Sequence, residues 1–278
     1  MRLIPCGQNH VYKYFPKLHN FFPLITRKWI KHLGNKCLIK LESCFFDYQL
    51  LLDEGNEYQN RDRIVKQFIR TGFGIEIGAL HHPVKLKEGV NVKYVDRLSV
   101  EQLREQYPEL NNMELVEADV IVDGETLEGI ESFTQDFVIA NHFLEHCQNP
   151  ILAIENMLRV LKRKGILFVS IPDKRYSFDA NRPITPYDHL VKDYTEGPGV
   201  SRRQHFEEWV RLANKVTDDI EVEGQIKHLM EINYSIHFHV WTETEMIEFF
   251  LKQKSIHDFE IELFSCNINE MIFVLRKT

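Results

Sequence analysis

The chain has 278 residues and a mass of 33.0 kDa, and its 44% hydrophobic and 27% charged residues are ordinary for a globular protein with a large core. It contains no run of about eighteen apolar residues, which predicts no transmembrane helix, and its start lacks the pattern of a secretory signal. The five cysteines are scattered and form no C-x-x-C pair, so we expect a reducing, cytoplasmic location and no cysteine-based zinc cluster.

Positive charge is concentrated at the amino terminus. Met1–Lys40 contains eight basic residues, several aromatic residues and no Asp or Glu. Without these eight, 26 of the 34 basic residues remain against 41 acidic ones, so the body of the protein would repel nucleic acid. We expect residues 1–60 to form a basic and aromatic helical extension, and residues 61–278 the main domain. The extension could pack on that domain, or bind an anionic membrane or a partner.

The first predicted strand ends at a glycine turn. In Gly72–Gly78, GFGIEIG, apolar residues alternate as in a strand, and Glu76 lies near its carboxyl end. The next strand, Val92–Val95, ends in Asp96. An acidic residue about twenty positions after a glycine turn, at the end of the second strand, is placed to bind the two hydroxyls of a ribose.

A short helix and a third strand are predicted next. Ser99 and Gln102 form a capping box that begins the helix. Met113–Val116 is predicted to be the third strand, followed by Asp119.

The clearest unit is Phe137–Pro172, a strand, a helix and a second strand. Phe137–Ala140 is a short apolar run typical of a fully buried strand. Asn149 and Pro150 predict a helix start, and the cations before Gly165 predict a helix end with a left-handed glycine cap. The strand Ile166–Ile171 follows. Such a crossover predicts a parallel sheet with helices on both faces.

These motifs together resemble the class I S-adenosylmethionine-dependent methyltransferases. The resemblance rests on GIEIG, YVD at Tyr94–Asp96, EAD at Glu117–Asp119, and ANHFLEHCQNP followed by RVLKRKGILFVSIP. It implies a Rossmann-like α/β fold with seven strands, mostly parallel, and an antiparallel hairpin at the carboxyl end. Phe259–Phe264 and Met271–Leu275 are the predicted strands of that hairpin.

The same resemblance implies a set of residues that bind S-adenosylmethionine. Glu76 and Gly78 would hold the methionine end, and Asp96 would bind the ribose hydroxyls. Asp119 would lie beside the adenine amino group. Gly74 belongs to the same set. Asn141 and His142 would face the methionine moiety and the acceptor.

Two stretches depart from the family pattern. Ala79–Val84, ALHHPV, stands where the glycine turn usually continues into a helix, so we expect no full helix there and consider His81 and His82 as contacts. Residues 173–241 form a long insert, predicted to be a lid, before a helix that the capping box of Thr242 and Glu245 begins.

The lid carries most of the candidate acid-base chemistry. The candidate general bases for the methyl acceptor are His189, His237 and His239. Together with His205 these histidines could also hold a metal, but the lid has no H-E-x-x-H motif and hydrogen-bonded histidines are the favoured interpretation, so no metal is assigned. The lid arginines that could bind a phosphorylated or carboxylated sugar are Arg175, Arg182, Arg202 and Arg203.

The sequence therefore predicts an S-adenosylmethionine-dependent methyltransferase that acts on an oxygen or nitrogen of a small molecule or glycan. A lipid-linked sugar would suit a cytoplasmic enzyme whose first forty residues touch a membrane. The alternatives are a non-catalytic binding module on the same fold and an NAD-dependent oxidoreductase, which would share the acidic strand end but needs G-x-G-x-x-G.

Overall fold

The computed structural model describes residues 57–278. The basic segment of residues 1–40 and most of the predicted extension lie outside the described residues. None of the described helices is long and apolar enough to cross a membrane. Helix α1, Glu57–Phe68, packs on the sheet, so the expected boundary at residue 60 falls inside a helix of the main domain.

Seven strands form one sheet in the order β3-β2-β1-β4-β5-β7-β6. The first five strands are parallel where they pair, and β7 runs antiparallel to both β5 and β6. The strands are β1 Gly72–Ile77, β2 Val90–Asp96, β3 Val120–Ile121, β4 Gln135–Asn141, β5 Leu161–Pro172, β6 Phe259–Asn267 and β7 Glu270–Lys277. The predicted mostly parallel sheet with an antiparallel terminal hairpin is confirmed.

Six further helices follow α1. They are α2 Val100–Gln106, α3 Pro150–Val160, α4 Tyr187–Glu196, α5 Gly199–Glu208, α6 Asp219–Glu231 and α7 Glu243–Lys254. The predicted capping boxes begin α2 and α7, and the Asn149 side chain accepts from the Leu152 N–H at the start of α3. Short 3-10 turns occupy Pro108–Leu110, Leu144–His146 and Lys174–Tyr176, and a π-helical turn occupies Trp209–Ala213.

The sheet separates two apolar layers. On one face, Ile154 and Met157 of α3 and Phe249 of α7 are fully buried against it. On the other, Ile64 and Val65 of α1 are buried among sheet residues. Burial on both faces explains why the central strands read as continuous apolar runs.

The third strand lies later than the sequence predicts. Val116 donates its N–H to Leu80 O in the loop after β1, so Met113–Val116 does not join the sheet. The strand is instead Val120–Ile121, which pairs with the end of β2. Asp119 therefore lies at the amino end of β3.

Helix α3 also ends differently. It stops at Val160 and the chain passes directly into β5. The left-handed residue is Lys164, with φ 66°, where Gly165 was expected. The cation at the helix end comes from another strand, because Lys277 Nζ donates to Leu158 O and Leu161 O at 2.7 and 2.8 Å.

The lid, residues 173–241, leaves the sheet after β5 and returns beside its own starting point. Asp173 forms an isolated parallel bridge with Trp241. Within the lid, α5 and α6 enclose a separate small core that includes Phe206, Val222 and Phe238. Helix α4 differs, because its Leu190 packs in the main core on one face of the sheet.

Candidate active site

The candidate site lies where the strand order reverses, since β1 is flanked by β2 on one side and β4 on the other. In open α/β sheets, ligands bind outside the carboxyl ends of the strands at such a switch point. Gly78 directly follows β1 in a left-handed conformation, with φ 64°, and donates its N–H to Val95 O. Asp96 ends β2 and Asn141 ends β4. Three of the predicted site residues thus share one edge.

Asp96 lies in a partly enclosed position at this edge. One of its carboxylate oxygens accepts from the Leu98 N–H at 3.2 Å. Burial raises the pKa of Asp96 above its ordinary value, although backbone hydrogen bonds and Arg97 act in the opposite direction. A carboxylate in this setting can accept two hydroxyl hydrogens from a ribose.

Asp119 is placed away from the carboxyl edge. Its carboxylate accepts from the Tyr94 N–H at 2.8 Å, two residues before the end of β2. One oxygen of Asp119 is therefore engaged by the backbone of β2. The residues that follow the carboxyl end of β3 are instead Val122 to Gly124.

Glu76 holds the loop that replaces the usual first helix. The chain forms no helix between β1 and β2, as predicted. Both carboxylate oxygens of Glu76 accept from the Val84 N–H, at 3.2 and 3.1 Å, and Asn141 Nδ2 lies 3.5 Å away. Burial raises the pKa of Glu76 to about 7. In this structure Glu76 positions the loop Ala79–Val84 beside the edge, and His82 of that loop stacks on Tyr58.

Two glycines have roles that differ from the sequence expectation. A Cβ on Gly74 would lie 2.3 Å from Phe137 O, so this glycine permits close packing of β1 on β4 and does not face the cofactor edge. Gly124 was not singled out, yet a Cβ there would lie 2.6 Å from the Phe143 ring and 2.7 Å from Ile77. Gly124 therefore lets the chain after β3 pack closely against Phe143 and Ile77.

His142 directly follows β4 and has φ 47°, a left-handed conformation that costs free energy for a residue with a side chain. Its Nε2 lies 2.8 Å from Glu270 Oε2 and its Nδ1 lies 3.5 Å from Glu145 Oε1. Burial opposes protonation, but the hydrogen bond to Glu270 and the charge of Glu145 outweigh it and raise the pKa of His142. The two carboxylates thus stabilise the imidazolium form of His142 relative to a free histidine.

Glu270 is the anchor of this histidine. It also accepts from Arg61 Nη2 at 2.5 Å and from Asn267 Nδ2 at 2.6 Å, and it is 1% exposed. Burial favours its neutral form, yet His142 and Arg61 lower the pKa of Glu270 to about 2. The sequence offered no sign of this contact, because Arg61 and Glu270 are 209 positions apart.

A second polar group joins the end of β4 to the lid. The His237 ring lies 4.6 Å from that of His146, and the main-chain N–H groups of Phe238 and His239 donate to Glu145 O. His237 Nδ1 lies 2.6 Å from Asp179 Oδ2. Burial would raise the pKa of Asp179, but the hydrogen bond from His237 and the Arg182 guanidinium lower it below the ordinary value.

An aromatic wall borders His237. The rings of Phe178 and Trp209 lie 4.8 and 5.8 Å from the His237 ring, and Phe178 is 53% exposed. His237 is thus held by Asp179 on one side and lies beside an exposed aromatic face.

The other two candidate bases, His189 and His239, belong to a separate group with His205 and Asp193. His239 is fully buried. The structure therefore divides the lid histidines into two sets, which their sequence positions do not reveal.

The four lid arginines all have protein partners. Arg175 is paired with Asp173 and Glu243. Arg182 is 2% exposed and donates to Asp179 and to the carbonyls of His237 and Phe238. Arg202 donates to Asn233 and Arg203 to Glu223. The expectation that they form a site for a phosphorylated or carboxylated sugar is not supported by this arrangement.

The chain is similar to a known family profile and to several solved structures. The profile of the family described as Methyltransferase domain matches residues 72–169. No curated protein sequence matches the chain. Among solved structures, the CurJ carbon methyltransferase is similar, at 14% identity and a TM-score of 0.45, over 84% of this chain and 57% of that one. This chain thus spans little more than half of that protein.

Two further structures are similar over most of their length. A SAM-dependent methyltransferase of Thermotoga maritima has 16% identity and a TM-score of 0.44, over 92% of this chain and 100% of that one. A SAM-dependent methyltransferase of Methanosarcina mazei has 15% identity and a TM-score of 0.42, over 77% and 96%. The family match runs from β1 into β5, so residues 72–169 of this chain form a methyltransferase domain with the strand order described above.

Proposed function

We propose that this enzyme transfers the methyl group of S-adenosylmethionine to an oxygen or nitrogen of a glycan or other small molecule. The observation that carries the proposal is the meeting of the Gly78 turn, Asp96 and Asn141 at one switch point of the sheet. S-adenosylmethionine supplies an electrophilic methyl group on a sulfonium. The protein has to hold that group, admit an acceptor and remove the acceptor's proton.

The ribose and the methionine end of the cofactor would both have partners at this edge. Asp96 would accept from the ribose hydroxyls, and the left-handed Gly78 turn lets the backbone approach the methionine moiety closely. Asn141 is oriented by Ser170, whose hydroxyl donates to Asn141 Oδ1 at 3.0 Å. His142, held by Glu270, would face the methionine end.

His237 is the candidate base that we favour among the three lid histidines. Asp179 fixes its Nδ1, which leaves Nε2 as the nitrogen that can accept a proton from the acceptor. The contact of the His237 ring with His146 places it beside the segment that follows β4. His189 and His239 lack this arrangement, because His189 Nε2 lies beside His205 Nε2 and Asp193, and His239 Nε2 lies beside Asp193.

The surroundings of His237 also favour a class of acceptor. Phe178 offers an exposed aromatic face next to the base, and aromatic faces pack well on the apolar face of a sugar or on another ring. The lid arginines are committed to protein partners, which favours an uncharged acceptor over a phosphorylated one.

Calorimetric titration tests the cofactor part of this proposal. S-adenosylhomocysteine should bind the full chain, and NAD in a parallel titration should not. A chain that is folded by circular dichroism but binds neither nucleotide would support a non-catalytic module on the same fold instead.

The base is tested after a tritium-transfer screen on cell extract has identified an acceptor. Replacing His237 by Gln should lower the rate of methyl transfer by roughly 10²- to 10⁴-fold while leaving S-adenosylhomocysteine affinity unchanged, because a general base acts only on the acceptor. Asp179→Asn should lower the rate as well, and His228→Gln, at an exposed lid position, is the control. Full turnover by His237→Gln would exclude His237 as the general base. The lid would then contribute only by positioning the acceptor.

A further inference from the structure

Four lid side chains converge on one buried point. They are His189 and Asp193, one turn apart on α4, His205 on α5, and His239 on the segment that leads to α7. One ligand-type atom from each lies within 4.8 Å of the corresponding atom of every other. Three separate segments of the lid therefore meet at this group, which we call the His3Asp cluster.

The distances match those of a four-coordinate metal site. His189 Nε2 lies 3.0 Å from His205 Nε2 and 3.1 Å from Asp193 Oδ2. Asp193 Oδ2 lies 3.7 Å from His239 Nε2 and 4.0 Å from His205 Nε2. Ligands bound tetrahedrally to zinc at about 2.0–2.1 Å are themselves about 3.4 Å apart. The distances between the ligand atoms of the His3Asp cluster lie on both sides of this value.

One carboxylate oxygen of the buried Asp193 has no hydrogen-bond partner among the described residues. Asp193 is fully buried, and its Oδ2 forms no hydrogen bond within the described part of the chain, although three imidazole nitrogens surround it. Its other oxygen accepts from Ser201 Oγ at 2.5 Å. An isolated carboxylate in a dry interior is costly, and a divalent cation would compensate it.

The Nε2 atoms of the histidines have poor hydrogen-bond partners among the described residues. Without a metal, the cluster would rely on the contact between two Nε2 atoms and on a long contact of 3.4 Å from His239 Nε2 to Gln148 O.

We propose that the His3Asp cluster binds one zinc ion, with His189, His205 and His239 as Nε2 ligands and Asp193 as the oxygen ligand. Three imidazoles and one carboxylate form a donor set that zinc accepts in tetrahedral geometry. Four protein ligands leave no open position for a substrate, so the ion is structural. It ties α4 and α5 to the segment that carries His237, and Ser201 orients the Asp193 ligand.

From the sequence no metal was expected, and the four-histidine alternative considered there differs from this zinc site in its fourth ligand. His237 is not a ligand, since it pairs with Asp179, and Asp193 supplies the fourth ligand in its place. The proposal also stands apart from the methyl-transfer chemistry, so its test does not depend on a known acceptor.

Elemental analysis of the purified full chain, grown with added zinc sulfate and passed over a desalting column, is the first measurement. We expect about one zinc per chain. A strong chelator should remove it and lower the melting temperature, and zinc chloride should restore both. Cobalt substitution should give the intense visible absorption of a tetrahedral site. The proposal would be overturned by a wild-type protein that contains zinc only at background level and whose melting temperature changes with neither chelator nor zinc chloride.

Variants then locate the ion. Asp193→Asn and His239→Gln should lose the bound zinc and melt at a temperature that chelator no longer changes, whereas His228→Gln, an exposed histidine on α6, should match the wild type. Ser201→Ala should keep the site but weaken zinc affinity by roughly 10- to 100-fold in chelator competition. Unchanged zinc content in both ligand variants would place the metal elsewhere and refute the His3Asp assignment.

Discussion

Asp96 gives the most direct test of the cofactor site. We predict that replacing it by Ala weakens the binding of S-adenosylhomocysteine more than any change at Asp119. Asp96 ends β2 at the switch point with its carboxylate partly enclosed. Asp119 lies at the amino end of β3, where its carboxylate accepts from Tyr94.

The expected magnitude follows from the hydrogen bonds at stake. A hydrogen bond to a charged group contributes about 1.5–3 kcal/mol. The Asp96 oxygen that already accepts from Leu98 can accept once more, and the second oxygen can take the other ribose hydroxyl. Loss of one such charged pair corresponds to roughly tenfold to more than a hundredfold weaker binding. Asp96→Asn retains one acceptor oxygen and should lose less affinity than Asp96→Ala.

Isothermal titration of the folded variants with S-adenosylhomocysteine measures this. Asp119→Ala is the matched control, because it removes a carboxylate 23 positions away whose hydrogen bond within residues 57–278 is to the backbone of β2. Wild-type affinity in both Asp96 variants would refute the ribose assignment. A larger loss in Asp119→Ala than in Asp96→Ala would show that Asp119 faces the cofactor after all.

Three further predictions concern acid stability, packing and the amino terminus. Because His142 and Arg61 lower the pKa of Glu270 to about 2, its stabilising contribution is present above the ordinary carboxyl pKa and is lost as the pH falls towards 2. Glu270→Gln should therefore lower the free energy of unfolding by on the order of 3 kcal/mol at neutral pH and weaken its dependence on acid pH. An unchanged dependence of the free energy of unfolding on acid pH would contradict this. Gly74→Ala should destabilise the fold by about 1–3 kcal/mol through its contact with Phe137 O while its folded fraction keeps cofactor affinity; Gly224→Ala, on the exposed face of α6 with nothing within 4 Å, should not destabilise it in the same thermal melt. The eight cations of residues 1–40 should bind anionic liposomes at about 1 kcal/mol each in low salt, and equal, negligible sedimentation with neutral and anionic liposomes would count against a membrane role.

Local patterns were enough to predict the framework of the sheet. The buried run after Phe137, the Asn149 cap and the capping boxes at Ser99 and Thr242 all depend on neighbours within a few positions. The glycine turn at Gly78 and the acidic end of β2 could be found for the same reason. Strand β3 was missed because only two residues pair, which is too short for an alternating pattern to show.

The tertiary structure decided what the histidines of the lid do. His189, His205, His237 and His239 look alike in the sequence, and their spacing does not show that His237 pairs with Asp179 while the other three surround Asp193. It also decided that Arg61 and Glu270 hold His142 across 209 positions of the chain. The sequence determined the elements, because helix caps and strand alternation are set by interactions within a few residues. The groupings of charged side chains were decided only when α4, α5 and the strand ends were brought together, since their contacts exist only in the folded chain.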